Sequence, residues 1–441
     1  MQRQKLSILT QPYRIKPLLT PDDLVPAADL VQIIKDLEEL VLAGSGADSF
    51  QEIFKLIYAK LYDEKKAGKK GVNLMFQYRT ESLDSYKNIQ ILFEQAKQEW
   101  PGIFHPSEII ELSPAHLIVC IKALERIKLF ATNLEIIDTA FEYLLPTVAK
   151  GKRGQYFTPR HIITAAVKML NPKNDELILD PACGSGGFLL HTIRWINERE
   201  NIETRLAVRQ VFGIDFDDKA AKIARAMLLI AGHGDGIIFK INSLENIDEI
   251  MADRILSSFT AHNEGVLFDV VLTNPPFGGE IHDPDLLATY SLAKDNKGSQ
   301  RKAVERHILF LERIIQFLKP GGRAAVIVPQ GILNNTNLSY IRDWLFRQSR
   351  LLAVIGLDAN TFKPHTNVKT SLLLLQKWNV EKPTDYPVFM AVSQKGGKNQ
   401  TGDPVFKTGK NGNLELDHDL DEIAEGLINF VKREKLGFWE E

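Results

Sequence analysis

Residues 274–277 read Asn-Pro-Pro-Phe and follow an apolar run, Leu267-Phe268-Asp269-Val270-Val271, that has the character of a buried strand. An exocyclic amine on a nucleobase is a poor nucleophile, because its lone pair is delocalised into the ring. A site that accepts hydrogen bonds from both of its N–H groups draws the nitrogen toward tetrahedral geometry as a methyl group arrives in line. The side-chain oxygen of Asn274 and the main-chain carbonyl of Pro275 are suited to that task. Pro275 and Pro276 fix their own φ and restrict the residue before each, so the acceptors are held stiffly. Phe277 offers a stacking face for a base turned out of a duplex, an interaction of roughly 1–3 kcal/mol. Asn, Pro and Gly are also ordinary turn residues, so the assignment depends on a methyl donor site nearby.

Such a site is suggested by Asp180-Pro181-Ala182-Cys183-Gly184-Ser185-Gly186-Gly187-Phe188, a glycine turn between an expected strand and an expected helix. Glycines let a ligand approach the backbone and leave N–H groups facing outward. A phosphate loop would need Lys-Ser/Thr after the last glycine, where Phe188-Leu189 stand, and the dinucleotide pattern would need glycine at Leu189. What remains is a ligand with an adenosine and a carboxylate-bearing tail but no phosphate requirement. The next strand ends in Gly213-Ile214-Asp215, whose acid is placed to accept two hydrogen bonds from a ribose diol. A third ends near Asn242-Ser243, polar groups suited to an adenine edge. These strand ends in succession fit S-adenosyl-L-methionine.

The elements that must position these residues fall into two styles. From about Ala27 to Pro146 apolar residues recur at three- and four-residue steps, as in "FQEIFKLIYAKLY" and "LEIIDTAFEYLL", which predicts an all-helical domain over 1–150. Beyond the "KGKRG" punctuation and a helix ending near Leu170, short apolar runs alternate with helical ones from "ELILD" to "VKTSLLLLQKW". That rhythm implies an α/β domain over 151–380, with a mainly parallel sheet covered on both faces and ligands beyond its carboxyl edge. Residues 381–441, with a polar "SQKGGKNQTGD" stretch and an amphipathic last helix, are expected to form an appendage or docking element.

At 441 residues, 44% hydrophobic and 25% charged, the composition is that of a globular protein. The first residues lack a secretory apolar run and no stretch suits a membrane span, so a cytoplasmic location without membrane association is expected. Two cysteines and scattered histidines exclude a disulfide framework and zinc-like spacing, so no metal is expected. A net charge of −2 does not suit a protein that grips nucleic acid by electrostatics alone. Two local basic patches stand out: Lys150, Lys152, Arg153 and Arg160, then Lys294, Lys297, Arg301, Lys302 and Arg306.

"GQYFTPR" at 154–160, "DPACGSGGFL" at 180–189, "GIDFDD" at 213–218 and "TNPPFGG" at 273–279 resemble, in order, the amino-methyltransferase boxes of the modification subunit of type I restriction-modification systems, an N6-adenine DNA methylase family. The resemblance runs from about Asn133 to Trp378. It implies a Rossmann-like class I methyltransferase domain that transfers a methyl group from S-adenosyl-L-methionine to the N6 amine of a flipped-out adenine in double-stranded DNA. It also implies that Gln155, Tyr156, Phe157, Thr158, Pro159 and Arg160 cover the methionine end of the cofactor. Ser185, Gly186 and Gly187 would lie against it and Asp215 would hold the ribose, with Asp180 and Gly184 also expected among the cofactor-binding residues. Family members work with a specificity subunit and, for cleavage, a restriction (motor-nuclease) subunit. Cytosine N4 and the side-chain amide of a protein glutamine remain alternative acceptors by the same chemistry, as does a cofactor-binding assembly subunit inactive without partners.

Overall fold

The computed structural model describes residues 17–26, 30–39, 46, 48–79, 82–101, 103–130, 158–200, 210–230, 237–245, 267–295, 297–379, 382–409 and 412–439. The chain divides into two compact units, Met1–Ala140 and Phe141–Glu441. The first contains the expected helices α1 (Leu30–Leu37), α2 (Ser49–Lys70), α3 (Ser82–Glu99) and α4 (Pro114–Leu124). The segment "LEIIDTAFEYLL" lies outside the described residues. Helix α2 starts at Asp48, whose carboxylate accepts the Gln51 N–H, and stops at Gly71 in the left-handed region with φ of 61°. Its buried acids staple loops to it. Glu52 accepts the N–H groups of Glu111 and Leu112, Asp63 those of Met75 and Phe76, and Glu64 those of Leu129 and Phe130.

The second unit is built on an eight-stranded sheet. In chain order its strands are β1 (Ile178–Asp180), β2 (Val211–Asp215), β3 (Ile237–Lys240), β4 (Phe268–Thr273), β5 (Leu318–Pro329), β6 (Ser349–Gly356), β7 (Thr370–Lys377) and β8 (Phe389–Val392). Their spatial order is β8-β6-β7-β5-β4-β1-β2-β3. All neighbours are parallel except β7, which is antiparallel to both β5 and β6. Helices α5 (Arg160–Leu170), α6 (Gly187–Glu200), α7 (Asp218–Ile230), α8 (Arg306–Phe317), α9 (Ser339–Gln348) and α10 (Leu420–Arg433) complete the main framework. Strand alternation divides the core into two. Leu372 and Leu374 pack with residues of α5, α6, α7 and α10, whereas Leu373 and Leu375 pack with those of α8 and α9.

The C-terminal segment departs from expectation. Rather than an appendage, it supplies the edge strand β8, which pairs with β6, and the helix α10, which packs in the same core cluster as α5. Asn171, the left-handed cap of α5, donates its amide to the Phe438 carbonyl at 2.8 Å, and the Trp439 indole donates to the Met169 carbonyl at 3.1 Å. The amphipathic face of α10 has found its partner within the chain.

Candidate active site

The strand order reverses between β1 and β4, which are parallel neighbours, and the loops leaving their carboxyl ends flank the crevice that such a reversal opens. The glycine turn leaves β1 and the Asn-Pro-Pro-Phe turn leaves β4. The two stretches therefore share one edge of the sheet.

The glycine turn is held by its backbone. Ala182 N–H donates to the Asp180 carboxylate at 3.1 Å, Cys183 N–H to the Ile214 carbonyl at 2.9 Å, and Gly186 N–H to the Cys183 carbonyl at 2.8 Å. Gly184 and Gly186 take φ of 53° and 86°. They differ in surroundings. A Cβ on Gly186 would lie 3.3 Å from that of Ala224 on α7, so this glycine serves packing. One on Gly184 would meet no other atom within 4 Å, so this one leaves the backbone approachable. Ser185 is buried at the turn, and Gly187 opens α6.

Asp215, at the end of β2, reaches across to this turn. One carboxylate oxygen accepts the Gly184 N–H at 2.9 Å and the other the Asp217 N–H at 2.8 Å. A further backbone hydrogen bond comes from Phe216, so much of the carboxylate's acceptor capacity is already used. Burial pushes its pKa up to about 6, against the lowering effect of the Asp217, Gly184 and Phe216 N–H groups. Asp180 is more deeply enclosed, and burial, reinforced by the nearby Asp215 charge, pushes it up to about 7. Beyond β3, the Asn242 side-chain oxygen accepts the Leu244 N–H at 3.1 Å, and the Ser243 hydroxyl donates to the Pro181 carbonyl at 2.5 Å. The second bond ties this loop to the glycine turn. It uses the proton that sequence reading left available for an adenine edge.

Across the crevice, the Asn274 amide donates to the Thr158 hydroxyl at 2.9 Å. Thr158 is buried just before α5, with Pro159 as the helix N-cap and Arg160 as the first helical residue. This bond joins two boxes 116 residues apart and fixes which end of the Asn274 amide faces α5. Pro275 and Pro276 follow, and Phe277 sets its ring edge-on to Phe362 at 6.2 Å, on the flank of the core. Gln155, Tyr156 and Phe157 lie outside the described residues.

Two aromatic contributors escaped the sequence reading. Phe216, directly after Asp215, is 75% exposed, and its signal was a ring between acids in "GIDFDD". Phe362 sits in the loop after β6, and nothing in "ANTFKPH" points to its contact with Phe277. Among the described residues there is no cluster of three or more potential metal ligands, and no helix is long and apolar enough to cross a membrane.

The methylase subunit of the type I restriction enzyme EcoEI from Escherichia coli is 28% identical over 249 residues, covering 54% of this chain and 46% of that relative. The StySJI methylase subunit from Salmonella typhimurium is 26% identical over 357 residues, covering 75% of this chain and 64% of that relative. The chain thus spans about half to two thirds of the length of these curated relatives. Among solved structures, the type I restriction-modification system methyltransferase subunit from Streptococcus thermophilus superposes with a TM-score of 0.59 at 17% identity, over 93% of this chain and 94% of that one. The fold is that of class I S-adenosylmethionine-dependent methyltransferases. The N-6 DNA Methylase family model matches residues 132–414, well over half of the chain and inclusive of the glycine turn, Asp215 and the Asn274 turn, and the chain belongs to that family.

Proposed function

We propose that this chain is the methylation subunit of a type I restriction-modification system, transferring a methyl group from S-adenosyl-L-methionine to the N6 amine of an adenine flipped out of double-stranded DNA. The observation that carries this reading is the convergence of the Asp215-braced glycine turn and the Thr158-bonded Asn274 on the carboxyl ends of β2, β1 and β4. The near-neutral net charge of −2 supports work in concert with a specificity subunit and a motor-nuclease subunit.

The residues present fit the cofactor. The Asp215 carboxylate, with about four acceptor sites, has capacity beyond its backbone bonds for a ribose hydroxyl. The exposed Phe216 ring beside it suits the face of an adenine. Because the Asn242 oxygen is held by Leu244 N–H, the amide end of that side chain is the group suited to an adenine ring nitrogen, while Ser243 acts as a brace. Approachable backbone at Gly184 suits the remainder of the ligand. When bound, S-adenosyl-L-methionine supplies an electrophilic methyl group whose sulfur departs with the bonding pair.

The chain's own part in the transfer is positional and electrostatic. The Asn274 side-chain oxygen and the Pro275 carbonyl accept the two N–H bonds of the target amine, restoring its lone pair, and Phe277 stacks on the base. No strong base is required, because the methylated amine is cationic and releases its proton readily. Replacing Asn274 by Ala is expected to lower methyl transfer by about 10²-fold or more while calorimetric affinity for S-adenosyl-L-methionine changes little. The assay uses the chain with its native partners and DNA. Full activity in the variant, or mass spectra showing N4-methylcytosine or methylglutamine in place of N6-methyladenine, would overturn the reading.

A further inference from the structure

We propose that the paired segments 293–295 and 297–302 form a phosphate-gripping arm that sets the DNA backbone in register over the Asn274 turn. This deepens the reading of the chain as a DNA methyltransferase and rests on it. The arm hangs directly from the catalytic turn. Gly279 accepts the Arg306 N–H at 3.0 Å, and Glu280–Ile281 pairs antiparallel with Val304–Glu305 immediately before α8. The ladder tethers the arm to the turn at which the target base would sit.

The arm is built rigidly and its charge is sorted. Lys294 pairs with Gln300, the Arg301 N–H donates to the Ala293 carbonyl at 2.8 Å, and Asp295 accepts the N–H groups of Lys297 and Ser299 at 2.8 and 2.9 Å. Its base is clamped from α8, where the buried Glu312 accepts the N–H groups of Ser291 and Leu292, each at 2.8 Å. The Arg301 guanidinium lies over the Tyr340 ring at 4.5 Å, which fixes the returning strand.

Between Ser291 and Ala303 the sequence carries four cations, Lys294, Lys297, Arg301 and Lys302, against the single carboxylate of Asp295, which accepts two backbone N–H groups. Lys294, Lys297 and Lys302 are exposed, and none forms an ion pair among the described residues. Of the neighbouring acids Asp285 is exposed, and three others have local contacts. Asp283 caps a short helix, Glu280 lies 3.6 Å from His282, and Glu305 lies 3.3 Å from the buried His307. Exposed ammonium groups on a hydrogen-bonded frame, where four cations meet one carboxylate, match a regularly spaced polyanion.

The test uses the intact chain, alone and in whatever complex copurifies from its host, with a short mixed-sequence DNA duplex as probe. The combined substitution Lys294→Ala, Lys297→Ala and Lys302→Ala is expected to weaken duplex binding about tenfold or more at low salt. It should also make the slope of log affinity against log salt shallower by roughly two to three. Thermal unfolding and S-adenosyl-L-methionine affinity should be unchanged. An unaltered affinity and slope would overturn the proposal, as would loss of a copurifying subunit with DNA binding intact, which would make the arm a protein interface. The parent reading fails separately, through the Asn274→Ala assay and the identity of the methylated product.

Discussion

Asp215 serves two roles through one carboxylate. It braces the glycine turn through the Gly184 N–H, and in the proposed reading its remaining acceptor capacity takes a ribose hydroxyl. Burial raises its pKa to about 6, so in the ligand-free protein the carboxyl is protonated below that pH and loses an acceptor. Affinity for S-adenosyl-L-methionine is therefore expected to be flat from about pH 8 to about pH 7 and to fall toward tenfold per unit as the pH drops below about 6. Asp215→Asn should bind weakly throughout and lose this dependence. Calorimetric titration at several pH values checks both, and a wild-type profile without an inflection would remove the ribose role. The roles proposed for Asn274 and Asp215 rest on residue type and strand-end position, both legible in the sequence. That of Ser243 was read differently, because a hydroxyl proton goes to the nearest buried acceptor, here the Pro181 carbonyl.

At the scale of elements, the strands and helices of the sheet unit were readable wherever apolar runs of four or more residues lay between turn signals. The edge strand β8 was not. Its four residues place Phe389 and Ala391 against the core and leave Met390 and Val392 69% and 58% exposed, an alternation too short to stand out after a proline-rich stretch. The docking of α10 was equally hidden, since an amphipathic helix announces that it needs a partner without saying which. Its burial now predicts a measurable cost. Leu427→Ala, fully inside the core, should destabilise the protein by about 2–5 kcal/mol in urea denaturation. A detachable appendage would show no such effect.

For the molecule as a whole, the enclosed site carries a pH-dependent penalty. Asp180 is raised to about 7, far above its value in an unfolded chain, so the folded state binds more protons than the unfolded one between those values. Its contribution to stability is fully present below the unfolded pKa and is lost as pH rises through about 7. Asp180→Asn, which keeps an acceptor for the Ala182 N–H, should therefore raise the melting temperature of the ligand-free protein at about pH 8. The gain should shrink on acidification and vanish near pH 4. A gain that grew on acidification would contradict the assignment.

The linear sequence determined the chemistry on offer and the local elements, because residue type, periodicity and turn residues act over a few positions. That was enough to mark the glycine turn, Asp215 and the Asn274 turn as strand ends of one parallel sheet. The tertiary structure alone decided what met what: the Thr158 hydroxyl at Asn274, Phe362 behind Phe277, and α10 beside α5. These contacts join residues from 85 to more than 200 positions apart, and they follow from strand order and helix packing, which pattern along a chain does not encode.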